Sequence, residues 1–289
     1  MTVIQPVTRA VCRYHGGKWK LADWVISHFP RHRFYVEPFG GGGSILMKKP
    51  RSKCELYNDL DGEVVNYFKV LRSPELAAKL EAILRLTPFA REEYKEAYGA
   101  YDGDDPVEKA RRFFIRLAMG WGTKMQSSTR AFRTRRGLDE STPAADFVNY
   151  PKHIKSFTDR LRGVVIENRS ALDIIKLHDE PDVLFYCDPP YLKHLRANNG
   201  YGTYAHDMSD EDHIDLAEIL YNVRGFVVIS GYPSELYERL YTSQGWVRKV
   251  RSHRTELAYK STECLWLSPR TAAALWRQEN LFRSMGILI

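Results

Sequence analysis

Val183-Leu-Phe-Tyr-Cys-Asp188-Pro-Pro-Tyr191 decides how the chain folds. Five consecutive apolar residues form a run with no polar alternation, the pattern of a strand covered on both faces. The run stops on a carboxylate and two prolines, which fix the backbone and remove two amide donors while leaving their carbonyls free to accept. Two further runs have the same form. Phe34-Tyr-Val enters Glu37-Pro-Phe-Gly40, and Phe226-Val-Val-Ile-Ser enters Gly231-Tyr-Pro. Cys54-Glu-Leu-Tyr and Gly163-Val-Val-Ile-Glu are additional strand candidates. Helical patterns at residues 21–28 and 211–221, the second with Ser209 as its cap, lie between them. Such alternation predicts an α/β domain with a largely parallel sheet and a ligand site beyond the carboxyl ends of its strands.

The character changes between about residues 60 and 157. Residues 63–71 and Pro74–Leu86 read as amphipathic helices, the second with Pro74 in its first turn. A stretch over residues 109–136 then holds nine Lys and Arg and no acid, with Phe113, Phe114, Trp121 and Phe132 interleaved. The whole chain of 289 residues carries 43 Lys and Arg against 36 Asp and Glu, a net charge of +7. The basic stretch alone exceeds that value, and the remainder is mildly acidic. Arginine with interleaved aromatics and no acids favours a nucleic-acid surface, so Arg130, Arg133, Arg135 and Arg136 are expected on a hairpin or loop facing the nucleic acid, with Lys124 as a further contact. The length suits two domains. The expected division is a catalytic domain of residues 1–60 and 158–289, with residues 61–157 inserted as a mainly helical, basic domain.

Other classes fall away. Cys12, Cys54, Cys187 and Cys264 are scattered and contain no Cys-x-x-Cys pair, which predicts reduced thiols in a cytoplasmic protein. No secretory signal or membrane-length apolar run is visible. The nine histidines form no metal pattern, so no metal is expected. A phosphate-binding P-loop fails because Gly17-Lys18 is followed by Trp19 and preceded by Cys12 where glycine is needed.

Glu37-Pro-Phe-Gly40-Gly-Gly-Gly43-Ser follows a strand, and four consecutive glycines permit a sharp turn and close ligand approach. Asp59, 19 positions after Gly40, has the spacing of an acid that grips ribose hydroxyls in a Rossmann-like nucleotide site. Asp188-Pro-Pro-Tyr191 supplies what a planar exocyclic amine requires. The Asp188 carboxylate and the Pro189 carbonyl each accept one amino hydrogen, and Tyr191 offers an aromatic face.

On these motifs the sequence resembles the Dam-like group of DNA adenine-N6 methyltransferases. Tyr14-His-Gly-Gly-Lys18-Trp is similar to that group's N-terminal cofactor motif, with His15 where a small residue is usual. The glycine motif is similar too, with Gly40 in place of a larger residue, and Asn58-Asp59 and Ser170-Ala-Leu-Asp173 resemble its remaining cofactor segments. The glycine motif stands before the catalytic one with a recognition domain between, as in that group. The resemblance implies a Rossmann-like S-adenosylmethionine-dependent sheet with an inserted target-recognition domain. It implies that Tyr14, Lys18, Glu37, Phe39 and Gly40 surround the methionine end, with Asp59 on the ribose and Asp173 on the adenine amine. Asp188, Pro189 and Tyr191 would act on a flipped-out adenine of double-stranded DNA. The rivals are a cytosine-N4 or RNA adenine methyltransferase, a non-catalytic DNA-binding protein on the same fold, and a dinucleotide dehydrogenase. Target sequence, oligomeric state and any restriction endonuclease partner cannot be read from the chain.

Overall fold

The computed structural model describes residues 6–120, 132–134, 142–195, 205–254 and 260–284. In chain order, α1 (Ala22–Ile26), β1 (Phe34–Glu37), α2 (Ser44–Lys48) and β2 (Cys54–Asn58) come first. Six helices follow: α3 (Gly62–Arg72), α4 (Pro74–Leu86), α5 (Arg91–Glu96), α6 (Pro106–Met119), α7 (Pro143–Asn149) and α8 (Ile154–Leu161). Then come β3 (Val164–Glu167), α9 (Ala171–Leu177), β4 (Val183–Cys187), α10 (Asp210–Tyr221), β5 (Phe226–Gly231) and α11 (Glu235–Leu240). The chain closes with β6 (Val247–Arg254), β7 (Lys260–Leu267) and α12 (Pro269–Ser284).

The seven strands form one sheet in the order β3-β2-β1-β4-β5-β7-β6. The first five are parallel, and β7 runs antiparallel to both β5 and β6. All five strands expected from the apolar runs are present. The chain steps outward from β1 to β2 and β3, then returns to β4 on the other side of β1. Strand order therefore reverses between β1 and β4, which opens a crevice at their carboxyl ends. That crevice places the loop after Glu37 beside the loop after Cys187. The two-residue period of the strands sends Tyr35, Tyr57, Tyr186 and Leu265 into one core and Val36, Leu56, Phe185 and Trp266 into the other.

Local chemistry fixes the helix starts. Ser73 accepts from Leu76 N ahead of Pro74, and Ser209 and Asp212 form a capping box on α10. The helical segment after β2 does not pack separately from the sheet. Val64, Val65 and Phe68 of α3 and Phe157 of α8 share a core with Tyr35 and Tyr57, and that core continues into Phe113 and Phe114 of α6. The β6–β7 hairpin was not expected from the sequence. Its edge strand Val247-Arg-Lys-Val-Arg is charged, and an edge exposed to water needs no apolar run.

Candidate active site

The glycine loop leaves β1 and turns directly into α2. Gly43 has φ +60°, and a Cβ there would stand 2.7 Å from the Phe68 ring. At Gly40 a Cβ would fall 2.2 Å from the Tyr57 ring. Tyr57 and Phe68 stack with centroids 4.2 Å apart, so the loop is pressed against a rigid aromatic pair. Asp59 anchors the loop from the next strand end: Gly41 N donates to its Oδ2 at 2.7 Å and Asp61 N to its Oδ1 at 2.8 Å. Burial pushes the Asp59 carboxyl up to about 6, against the pull of the two amides. A carboxylate has about four acceptor sites, so lone pairs remain for a ligand hydroxyl. Asn58 draws in a third loop, donating to Pro38 O at 2.8 Å and Arg169 O at 3.0 Å, which sets Ser170 beside the glycines.

These loops enclose a cavity of about 250 Å³ at the β1/β4 crevice. Tyr14, Lys18, Glu37, Phe39, Gly40, Asp59 and Asp188 all line it, as does Pro190. Its charge is one-sided. Glu37, Asp59, Asp61, Asp188, Asp207 and Asp212 contribute carboxyl groups, whereas Lys18 is the sole Lys or Arg among the described lining residues. Glu37 is buried, and its Oε2 accepts from the Tyr35 hydroxyl at 3.0 Å and from Leu46 N of α2 at 3.1 Å. Burial pushes its carboxyl up to about 8, with the Tyr35 hydrogen bond opposing and Asp188 adding to the rise.

Asp61, Glu263 and Ser230, all passed over by the motif reading, belong to this site. Asp61 caps α3 through its Oδ1, on Glu63 N at 2.8 Å, while its buried Oδ2 has no partner among the described residues. The signal available in the sequence was Asp59-x-Asp61, read as one acid when it supplies two. Glu263 comes from β7 and is 2% exposed. It accepts a hydrogen bond from the Tyr191 hydroxyl, and Lys18 Nζ stands 3.8 Å from its Oε1. An acid immediately before the apolar run Cys264-Leu-Trp-Leu was its only mark in the sequence.

The Asp188-Pro-Pro-Tyr191 tetrapeptide is built as a polar cluster beside this cavity. Lys18 Nζ lies 3.2 Å from Asp188 Oδ1, donates to Gly16 O at 3.1 Å and sits 4.5 Å above the Tyr191 ring centroid. Ser230, from the end of β5, donates to the same Oδ1 at 2.7 Å. Pro189 is buried behind Asp188, and Tyr191 is buried with its ring shared between Lys18 and Tyr232.

Asp173 is not brought to the cavity. Ile174 and Ile175 of the same helix turn into the core, which leaves Asp173 on the exposed face of α9, while Ser170, Ala171 and Leu172 reach the cavity instead. Of the five basic residues expected to face DNA, Lys124, Arg130, Arg135 and Arg136 lie outside the described residues. Arg133 corrects the expectation for its own position: it is 3% exposed, its Nη1 donates to Ala118 O at 3.3 Å and its amide to Met119 O at 2.8 Å. It fastens the strand-like bridge between Gly120 and Phe132 and is not open to a phosphate. The helical half of the basic run is also internally satisfied. Arg111 meets Glu108 at 2.6 Å and Glu93 at 2.8 Å, Arg112 meets Glu108 at 2.8 Å, and Arg116 pairs with Glu63.

No helix among the described residues is long and apolar enough to cross a membrane. Among the described residues no group of three or more His, Cys, Asp or Glu is placed to hold a metal.

Similarity to known proteins agrees with this geometry. The DNA adenine methylase of Salmonella typhi is 24% identical over 242 residues, covering 81% of this chain and 84% of its own. That of Escherichia coli K12 is 24% identical over 254 residues, covering 85% and 86%. The DNA N-6-adenine-methyltransferase of Escherichia phage P1 is 26% identical over 250 residues, covering 79% of this chain and 31% of the phage protein. Residues 14–255, which run from the first cavity residue through both glycine and Asp-Pro-Pro-Tyr motifs, match the D12 class N6 adenine-specific DNA methyltransferases. The chain belongs to that family, and its reaction is the site-specific methylation of adenine in DNA.

Proposed function

We propose that the cavity takes S-adenosylmethionine and delivers its methyl group to an adenine amine held at Asp188, on double-stranded DNA gripped by residues 61–157. The observation that carries this reading is the carboxylate-lined cavity running from the glycine loop to Asp188. Five acids stand against one lysine, with Glu37 holding its proton up to about 8, and this excess repels a phosphate-bearing dinucleotide and suits a ligand with a sulfonium and an ammonium. The donor set fits such a ligand in a second respect: the unpartnered Asp61 Oδ2 and the remaining lone pairs of Asp59 suit a pair of ribose hydroxyls. Lys18 and Glu37 stand at the Asp188 side of the cavity, where the methionine end would be held. When bound, this cofactor supplies an electrophilic methyl group.

The protein's own residues prepare the acceptor. An adenine amine is a weak nucleophile because its lone pair is delocalised into the ring. Asp188 Oδ2 and the Pro189 carbonyl each accept one amine hydrogen, which favours a tetrahedral nitrogen and stabilises the positive charge that develops there. Holding the amine in a fixed place supplies the orientation contribution. A base inside a duplex cannot reach this crevice, so the adenine is flipped out and Tyr191 supplies part of its new packing. Residues Lys124, Arg130, Arg135 and Arg136 are proposed as phosphate contacts, and the division at 61–157 follows the placement of that basic stretch.

The test is purified Asp188→Ala, assayed for methyl transfer, for cofactor binding by calorimetry and for DNA binding. Turnover should fall by roughly 1,000-fold or more, with both affinities within a few fold of the parent. Retained turnover in the folded variant would sink the assignment of Asp188. Absence of cofactor binding by the parent protein would sink the cavity assignment.

A further inference from the structure

Glu263 lies beyond the family-matched residues 14–255 and has no part in the motif reading. It reaches the site because β7 is antiparallel: its early residues stand at the edge where the parallel strands end, with Cys264 opposite Gly231 of β5. Three side chains converge there on two carboxylates. The Tyr191 hydroxyl donates to Glu263, Ser230 Oγ donates to Asp188 Oδ1 at 2.7 Å, and the Lys18 ammonium lies between the acids, 3.2 Å from Asp188 Oδ1 and 3.8 Å from Glu263 Oε1. The ion pair with Lys18 and the hydrogen bond from Ser230 both meet Asp188 at Oδ1.

We propose that Glu263 is a positioning residue of the methyl transfer. It shares the Lys18 ammonium with Asp188 and fixes Tyr191, and so sets how much negative charge Asp188 presents to the adenine amine. This inference rests on the assignment of that amine to Asp188. Glu263 faces Lys18 from the N-terminal loop, Asp188 and Tyr191 from the loop after β4, and Arg251 across the register from β6, whose guanidinium lies 6.0 Å over the Trp24 ring. Burial pushes the Glu263 carboxyl up to about 7, against the pull of Lys18, with Asp188 adding to the rise. Its charge therefore changes in the working pH range. Ionised Glu263 takes part of the ammonium, leaving Asp188 with more unneutralised charge. Protonated Glu263 gives up its share of the ammonium to Asp188. Turnover should rise with pH through this range.

The experiment measures kcat, both KM values and DNA affinity for the parent, Glu263→Gln, Glu263→Asp and Asp188→Asn across the neutral range. Glu263→Gln should lose roughly tenfold or more in kcat on the alkaline side, with both KM values within about threefold, and should lose the pH limb near neutrality. Glu263→Asp keeps a carboxylate, so it should retain a limb at a shifted pH and recover part of the rate. If Glu263→Gln does not fold, the Glu263→Asp profile decides: a shifted limb supports the proposal and an unmoved limb overturns it. A parental limb in Glu263→Gln, or an equal loss of kcat and of both affinities, also overturns it. Asp188→Asn separates the two assignments. If it retains turnover, the amine assignment fails. If it is inactive while Glu263→Gln behaves as the parent, only the role of Glu263 fails.

Discussion

The basic run and the active-site carboxylates are opposites in sequence and in space. Residues 109–136 crowd nine cations with no acid among them, yet in the fold Arg111, Arg112 and Arg116 are met by Glu63, Glu93 and Glu108, and Arg133 is buried against backbone carbonyls. Glu37, Asp59, Asp188 and Glu263 are scattered over more than two hundred positions, yet the sheet brings the first three to one cavity and sets Asp188 and Glu263 on one buried lysine. Local charge along a chain is thus a poor guide to net field, because a helix pairs its cations with acids from other turns and other helices. A site's field depends on what the topology brings together.

The largest effect expected from breaking this contrast is at Lys18. Lys18→Met leaves Asp188 and Glu263 facing each other without a counter-charge, and kcat should fall on the order of 100-fold, as for removal of one preorganised electrostatic partner. Single-turnover assays with DNA affinity measured in parallel would show it; an unchanged rate would mean that the carboxylates do not depend on their shared cation. Next in size is the division of the basic run. Removing charge at Arg130, Arg135 and Arg136 together should weaken DNA binding and flatten its salt dependence by about 0.9 in slope for each phosphate no longer met by a cation. Arg111→Ala and Arg116→Ala should each leave that slope unchanged and instead cost about 1.5–3 kcal/mol of stability, the scale of hydrogen bonds to charged groups. A lower slope in either of the latter would erase the distinction between paired and DNA-facing arginines.

The smallest expected effect concerns Glu37. Its carboxyl is raised from 4.5 to about 8, so the folded protein holds a proton that the unfolded chain releases between those values. The stability gained is complete below pH 4.5 and is lost as pH rises through about 8. Glu37→Gln has no such proton to lose, so its thermal midpoint relative to the parent should climb by several degrees between about pH 5 and pH 9. A constant difference across that interval would contradict the burial argument.

Much of the fold could be read from the chain because its five parallel strands are covered on both sides and carry unbroken apolar runs. Val183–Cys187 and Pro74–Leu86 are read to the residue. The β6–β7 hairpin escaped because an edge strand can be as polar as Arg248-Lys249 and because β7 carries Glu263 immediately before its apolar run. In the site, the motif residues around the glycine loop do line one cavity. Asp173 falls outside it, since its helix spends Ile174 and Ile175 on the core and leaves the acid in water. Ser230 and Glu263 were invisible as site residues because each acts through a contact made across the sheet, on Asp188 and Tyr191, that no local spacing encodes.

The contact between Gly40 and Tyr57 ties two distant positions into a single unit of inheritance. A side chain at position 40 would occupy the space of the Tyr57 ring, whose hydroxyl in turn holds Gly41 O at 2.7 Å. Relatives with a larger residue at the first position must therefore carry a smaller or displaced one at the second and secure the loop by another donor. The pair is expected to covary, and exchanging either residue alone between two such relatives should damage a protein that exchanging both leaves intact.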